Sequence, residues 1–309
     1  MQFIAVVDGC PSDSLTGQED TWHTFAILQA GSFRALEHFI VELRSCLKAS
    51  NLQLRKWGGN ASNEKQKMRN ANFREGFIVS LRTALPKSQV NVLTVSCQEK
   101  VIVAAEDAMC KVLGLEHAVV MGDRQSICLG GYTRHWCEGR EVVTLGPFEK
   151  VLADGHAQVI SEPLLAPRKN AVIWLWMAYI LWSLYMAVAE QCGGKPAWQV
   201  HFDRLANDDV ARNYPGLGFI DMLLKSTTNV ELTSSYAEVS LTPTDMSTPD
   251  LIVDCIAGWA NESITNWGNT RELEAILGEE RRSHLELHVL NGETDIRALP
   301  VKFTGLASG

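Results

Sequence analysis

The chain has 309 residues and carries 28 lysines and arginines against 36 aspartates and glutamates, a formal charge of −8. With 46% apolar and 21% charged residues it has the balance of an ordinary globular protein. That excludes a disordered, collagen-like or coiled-coil chain and a uniformly basic surface, and it leaves room for one large domain or two small ones that need no covalent staples.

Residues 2–8 are an apolar run closed by Gly9 and Pro11, which predicts a buried strand with Asp8 at its carboxyl end. His23–Ala30 predicts a second strand. Gly31-Ser32 then opens a helix in which Phe33, Leu36, Ile40, Leu43 and Leu47 recur at helical spacing. Residues 51–63 are polar and contain glycine, hence a loop. Glu64–Leu85 is a second helix stopped by Pro86, Gln89–Cys97 a β-branched strand, and Lys100–Leu113 a third helix ending before Gly114. Residues 114–170 hold short strand-like pieces at Ala118–Met121, Ile127–Tyr132, Glu141–Leu145 and Ala157–Ile160, which predicts an inserted β-rich subdomain.

Ala171–Ala189 is a run of 19 residues without a charge, long enough to span a membrane. Trp174, Trp176 and Trp182 lie inside it rather than at its ends, however, and Ser183 and Tyr185 add polar groups. A buried core helix is therefore expected and a membrane association is not; an interface with a protein partner or a second copy is a further use for such a helix. Trp198–Asp203 reads as a strand. A helix follows over about 208–225, interrupted by Pro215 and Gly216, then a strand at Glu231–Leu241. Ser247-Thr248-Pro249-Asp250 is a helix-start signal for Leu251–Trp267. A charged helix over Arg271–Arg282 and an edge strand at His284–Leu290 complete the chain. Strands alternating with helices predict an α/β fold with a mixed sheet flanked by helices. Its core is expected to come from residues 1–113 and 171–309, on either side of the 114–170 insertion.

The N-terminus has no basic segment followed by an apolar run and a small-residue cleavage site, so a cytoplasmic protein is expected. The eight cysteines form no Cys-x-x-Cys pair and are read as reduced thiols.

The chemistry is expected from carboxylates. In α/β sheets, sites collect at the carboxyl ends of strands. Asp8 has that position, and Asp203 ends the apolar strand Gln199-Val200-His201-Phe202-Asp203. Asp254 lies inside the apolar helix segment Leu251–Trp259, where a bare carboxylate costs several kcal/mol unless it is paired, protonated or bound to a cation. Ala257 and Gly258 are expected to let that helix approach a sheet closely. Three acids from distant segments fit a Mg²⁺ or Mn²⁺ site, since hard cations take carboxylate oxygens and water. A pair of such ions activates water and stabilises the leaving oxygen of a phosphodiester, with Asp8 bridging the two ions and Asp203 and Asp254 on one each. Each acid also has a plain structural reading: Asp8 as a turn residue, Asp203 paired with Arg204 or Arg212, Asp254 bridged to a core arginine.

This order of acids resembles the RNase H-like superfamily, with an aspartate on the first strand, a second after a later strand and a third in the last core helix. More narrowly it resembles the domain of unknown function 3800 family. The counterparts of that family's motifs are Val7-Asp8-Gly9-Cys10, His201-Phe202-Asp203-Arg204 and Ile252-Val253-Asp254-Cys255-Ile256-Ala257-Gly258. The resemblance implies a metal-dependent nuclease acting on DNA or RNA. The family has a glutamate directly after the first aspartate, where this chain has Gly9. Glu19, Asp20, Glu37 and Glu42 are candidates to replace it, and Glu37, early in the first helix, is the choice. The departure also leaves open a catalytically weakened member that binds nucleic acid or protein.

Residues 34–87 hold eleven basic and four acidic side chains, a net of +7 that leaves −15 for the rest of the chain. Such a patch suits a phosphate backbone. Arg55, Lys56, Lys65, Lys67 and Arg69 are its candidate contacts, with Trp57 to stack on a base. The structural alternative is a solvated pair of helices with Trp57 as packing.

Overall fold

The structure, a computed structural model, describes residues 2–10, 14–58, 64–113, 126–137, 140–145, 160–202, 220, 223–224, 228, 230–234, 247–265, 284–286, 289–290 and 293–294. Six strands form one mixed sheet. They are β1 (Gln2–Cys10), β2 (Trp22–Ala30), β3 (Val90–Gln98), β7 (Ala197–Phe202), β8 (Val230–Ser234) and β9 (His284–Glu286), in the spatial order β8-β7-β1-β2-β3-β9. β1, β2 and β3 run antiparallel in sequence, pairing Asp8 with Ala26 and His23 with Cys97. On the other side of β1 the sheet turns parallel: β1 pairs with β7 from Gln2↔Ala197 to Val7↔Phe202, and β7 pairs with β8.

Helices cover both faces, which is why the strands read as nearly continuous apolar runs. On β1, Phe3, Ala5 and Val7 face one core and Ile4 and Val6 the other, as the two-residue period requires. The first core is built around α5 (Arg168–Cys192), with α3 (Glu99–Ala104) and α4 (Glu106–Val112) beside it. The second packs α1 (Phe33–Ala49), α2 (Glu64–Ala84) and α6 (Ser247–Thr265) on the opposite face. α1 is capped by Ser32, whose Oγ accepts from the Ala35 N–H, and it buries Leu36, Phe39, Ile40, Leu43 and Leu47.

The uncharged Ala171–Ala189 run lies within α5. It has the length and hydropathy of a membrane-crossing helix, yet its residues from Ala171 to Leu181 are all buried in the protein. Trp174 and Trp176 are 0% and 1% exposed, and Phe25 of β2 packs on Trp176. Each such side chain contributes about 1.5–3 kcal/mol when removed from water.

Several expectations are redrawn. The helix read over Lys100–Leu113 is two short helices meeting at Ala105. The strand read at Glu231–Leu241 is β8, which ends at Ser234, and the strand at His284 is β9, parallel to β3 at the sheet edge. Val289–Leu290 and Glu293–Thr294 form a separate two-stranded pair, β10 and β11. In the 114–170 region, β4 (Ser126–Cys137), β5 (Arg140–Leu145) and β6 (Ile160–Pro167) make a three-stranded antiparallel sheet in the order β5-β4-β6. β6 starts at Ile160, the position at which the sequence predicts a strand to end. It contains Pro163, which an edge strand tolerates because it needs no donor on its open side. The strand read at Ala118–Met121, most of the helix read over 208–225 and the helix read at Arg271–Arg282 lie outside the described residues.

Candidate active site

Asp8 continues the alternation of Ile4 and Val6, so it faces the core that holds α6, and Cys10 packs against the same core. Asp8 Oδ1 accepts a hydrogen bond from the Gly9 N–H at 2.8 Å, a contact between neighbours within β1 and not in a turn. Asp254 lies in the middle of α6, half-buried. The charges of Asp8 and Asp254 both reach the thiols of Cys10 and Cys255. Burial first, then Asp8, Asp254 and Glu262, push the Cys10 thiol up to about 12. Burial, Asp254 and Asp8 raise Cys255 as well, opposed by Arg55. Both thiols are therefore neutral at ordinary pH and inert as nucleophiles.

Two of the three predicted aspartates thus act on the same pair of thiols, although they are separated by most of the chain. Asp203 lies outside the described residues; the last described pair of the β1–β7 ladder is Val7↔Phe202, the residues that directly precede Asp8 and Asp203 in sequence. Glu37 is a correction. It is exposed on the solvent side of α1, and its charge is not among those acting on Cys10 or Cys255. The α1 residues that face inward are Leu36, Phe39 and Ile40, which turns Glu37 away from the sheet.

A third carboxylate acting on Cys10 together with Asp8 and Asp254 is Glu262. It stands eight residues after Asp254, two helical turns along the same face, with Gly258 between them. That spacing was readable from the sequence and was missed. Burial raises both Asp254 and Glu262 above ordinary carboxyl values. The Trp57 N–H and the Lys56 charge oppose the shift at Asp254, and Arg74 and Trp57 oppose it at Glu262.

Trp57 fills the gap between the two acids. A Cβ at Gly258 would fall 2.2 Å from Trp57 Cδ1, so only glycine admits the ring. Gly258 therefore serves the approach of Trp57 and not, as expected, that of the sheet. Trp57 is 4% exposed, with Phe73 and Phe77 of α2 edge-on at 6.5 and 6.0 Å. Its ring is a packing residue here, which corrects its expected role as an open surface for a base. Its backbone N–H donates to Asp254 Oδ2 at 2.7 Å. Its indole N–H is directed at Glu262 closely enough to favour the charged acid, without completing a hydrogen bond of full geometry.

The basic patch splits in two. Arg55 lies 4.7 Å from the Phe73 ring centroid and donates to the Arg69 carbonyl at 2.7 Å, and Arg74 pairs with Glu262 at 2.8 Å. Lys56, Lys67 and Arg69 are exposed, and Lys56 lies close enough to Asp254 to favour its charge. The side chain of Lys65 lies outside the described residues. A second polar contact on the same sheet face joins His201 Nε2 of β7 to Asp250 Oδ1 at the start of α6, 3.3 Å apart.

The donor set is hard carboxylate oxygen, partly buried, with neighbouring thiols kept protonated. That chemistry fits Mg²⁺ or Mn²⁺ at Asp8 and Asp254. Among the described residues, no three His, Cys, Asp or Glu side chains stand close enough to form a complete metal cage. No protein-family model, curated protein or solved structure matches this chain.

Proposed function

We propose that this chain is an RNase H-like nuclease that hydrolyses phosphodiester bonds of DNA or RNA with Mg²⁺ or Mn²⁺. The observation that carries the reading is that Asp8, on the central strand, and Asp254, in a helix packed on that strand's face, lie toward one core and both act on the thiols of Cys10 and Cys255. A mixed α/β sheet flanked by helices, with antiparallel β1–β3 and parallel β7 and β8 beside β1, is compatible with that fold. The ladder ending at Val7 and Phe202 supports Asp203 as the third acid, because each aspartate follows directly.

In this reading Asp8, Asp254 and Asp203 hold the cation, which supplies an activated water and charge stabilisation at the leaving oxygen. Asp254 is kept in place by the Trp57 N–H. Lys56 lends positive charge near Asp254, and exposed Lys67 and Arg69 are further contacts for a phosphate backbone in this reading. Cytoplasmic localisation belongs to the same reading, with nucleic acid as the partner and no membrane association. Gly9, in the place of the family's glutamate, favours a second reading: a weakened member that binds nucleic acid or a protein without cutting, though not through the uncharged run of α5, which the core itself buries.

Cleavage of labelled single- and double-stranded DNA and RNA, with Mg²⁺, Mn²⁺ or EDTA, separates the two. The nuclease reading predicts cation-dependent cleavage that falls roughly a hundredfold or more in Asp8→Asn and Asp254→Asn. Binding without cleavage under every condition supports the second reading. Cleavage that survives both substitutions together removes this site.

A further inference from the structure

Trp57 belongs to the polar stretch Gln53-Leu54-Arg55-Lys56-Trp57-Gly58, which has no regular secondary structure, and yet its ring is buried. Three parts of the fold hold it there. The bare face of α6 at Gly258 takes the ring. Phe73 and Phe77 close its edges. Arg74 lies over it, 5.2 Å from the centroid, and its Nη2 is 3.5 Å from the Trp57 carbonyl oxygen. The neighbouring backbone is tied as well, with Cys255 Sγ 3.1 Å from the Arg55 carbonyl.

A loop amide has no strand or helix to set its direction, so a locked side chain is what sets it here. The product of all these contacts is one short hydrogen bond, Trp57 N–H to Asp254 Oδ2 at 2.7 Å. A hydrogen bond to a charged oxygen is of the stronger kind and carries a directional preference. A carboxylate on a helix surface otherwise exchanges between rotamers.

We propose that Trp57 is the positioning residue of the acid pair: its ring, seated at Gly258, aims its backbone N–H at Asp254 Oδ2 and holds that carboxylate in one orientation on the sheet face that Asp8 shares. The inference rests on the reading of Asp8 and Asp254 as cation ligands, and it adds that the site is set by a loop far from either acid in sequence. Trp57 itself touches neither cation nor substrate.

The test is Mn²⁺ binding by the full-length chain, followed by the electron paramagnetic resonance of the free ion, together with hydrogen exchange at the amide of residue 57. Trp57→Phe keeps the amide and an aromatic ring, so it binds within about twofold of the parent and keeps the amide protected. Trp57→Ala and Gly258→Ala bind roughly tenfold more weakly and expose the amide. Leu52→Ala, which loosens packing on α2 at Gly76, is the control for lost stability and keeps the parental affinity. If the two disruptive variants do not fold, Phe73→Leu is read in the same way.

Faster exchange at residue 57 with unchanged Mn²⁺ affinity overturns the positioning role while leaving the acids as ligands. An equal loss in Trp57→Phe and Trp57→Ala, or in Leu52→Ala, also overturns it, because the amide is then not the cause. No Mn²⁺ binding by the parent, or full binding by Asp254→Asn, overturns the site reading and this inference with it.

Discussion

Arg74 Nη2 stands 2.8 Å from Glu262 Oε1, joining α2 to α6 beside the acid cluster. Burial holds the Glu262 carboxyl above its ordinary value, and the Arg74 charge and Trp57 pull it back. An acid whose value is raised on folding contributes stability that is fully present below its unfolded value and is lost as pH rises through the folded one. Removing the counter-charge raises Glu262 further. Arg74→Met is therefore expected to cost about 1–2 kcal/mol at pH 7, allowing for partial solvent screening, and less at pH 4. Urea titrations at both pH values measure this; equal losses at the two would contradict it.

Gly258→Ala pits two effects against each other. Alanine gains about 1 kcal/mol of helix propensity, but its Cβ would meet Trp57 Cδ1 at 2.2 Å, with the ring Cγ and the side-chain Cβ close behind. Overpacking of this kind costs about 1–3 kcal/mol, and the ring has Phe73 and Phe77 at its edges. A net destabilisation is expected in chemical denaturation. A variant more stable than the parent would mean that Trp57 leaves the slot at little cost.

On the other side of the sheet, Glu99 is 4% exposed and fully engaged. Oε2 accepts from the Thr16 N–H at 2.7 Å and the Thr16 hydroxyl at 2.9 Å and lies 3.0 Å from His23 Nε2, while Oε1 accepts from the Gly17 N–H at 2.7 Å. Burial works to raise the carboxyl, but the bonds from His23, Thr16 and Gly17 overcome it and hold the group below its ordinary 4.5. A depressed acid stabilises the fold above its unfolded value and loses that contribution as pH falls through the folded one. Glu99→Gln should thus cost about 2 kcal/mol at pH 7 and flatten the stability profile below pH 4.5. A profile unchanged in shape would count against the clamp.

Cys10 reports the field of the acids directly. Its thiol is pushed up to about 12 by burial and by Asp8, Asp254 and Glu262. Asp8→Asn and Asp254→Asn should each lower that value and speed iodoacetamide alkylation of Cys10 at pH 9 by about threefold or more, read by peptide mass spectrometry. Glu37→Gln should leave the rate unchanged. Acceleration in Glu37→Gln alone would place the acids differently.

The parts of this fold that follow a local rule were legible in the sequence. β1, β2 and β3 are apolar runs between turn residues, α1 begins directly after Gly31-Ser32 as read, and Asp254 stands out as a charge inside an apolar helix. What was not legible depends on partners far away in the chain. Trp57 lies among Arg55, Lys56 and Gly58 and looks like a surface aromatic; its burial is decided by the missing side chain at Gly258. Glu37 was chosen for its place early in a helix, but the face it occupies is fixed by Leu36, Phe39 and Ile40 packing inward. Glu262 was missed because α6 was read for its apolar residues and not for the line Asp254, Gly258, Glu262 along one face.

The most direct measurement is a crystal structure of the chain soaked in Mn²⁺, with data collected at the manganese absorption edge. An anomalous peak bonded to carboxylate oxygens of Asp8 and Asp254, lost in Asp254→Asn, is the expected result. A peak elsewhere, or none with these two acids instead neutralised by basic side chains, would contradict it.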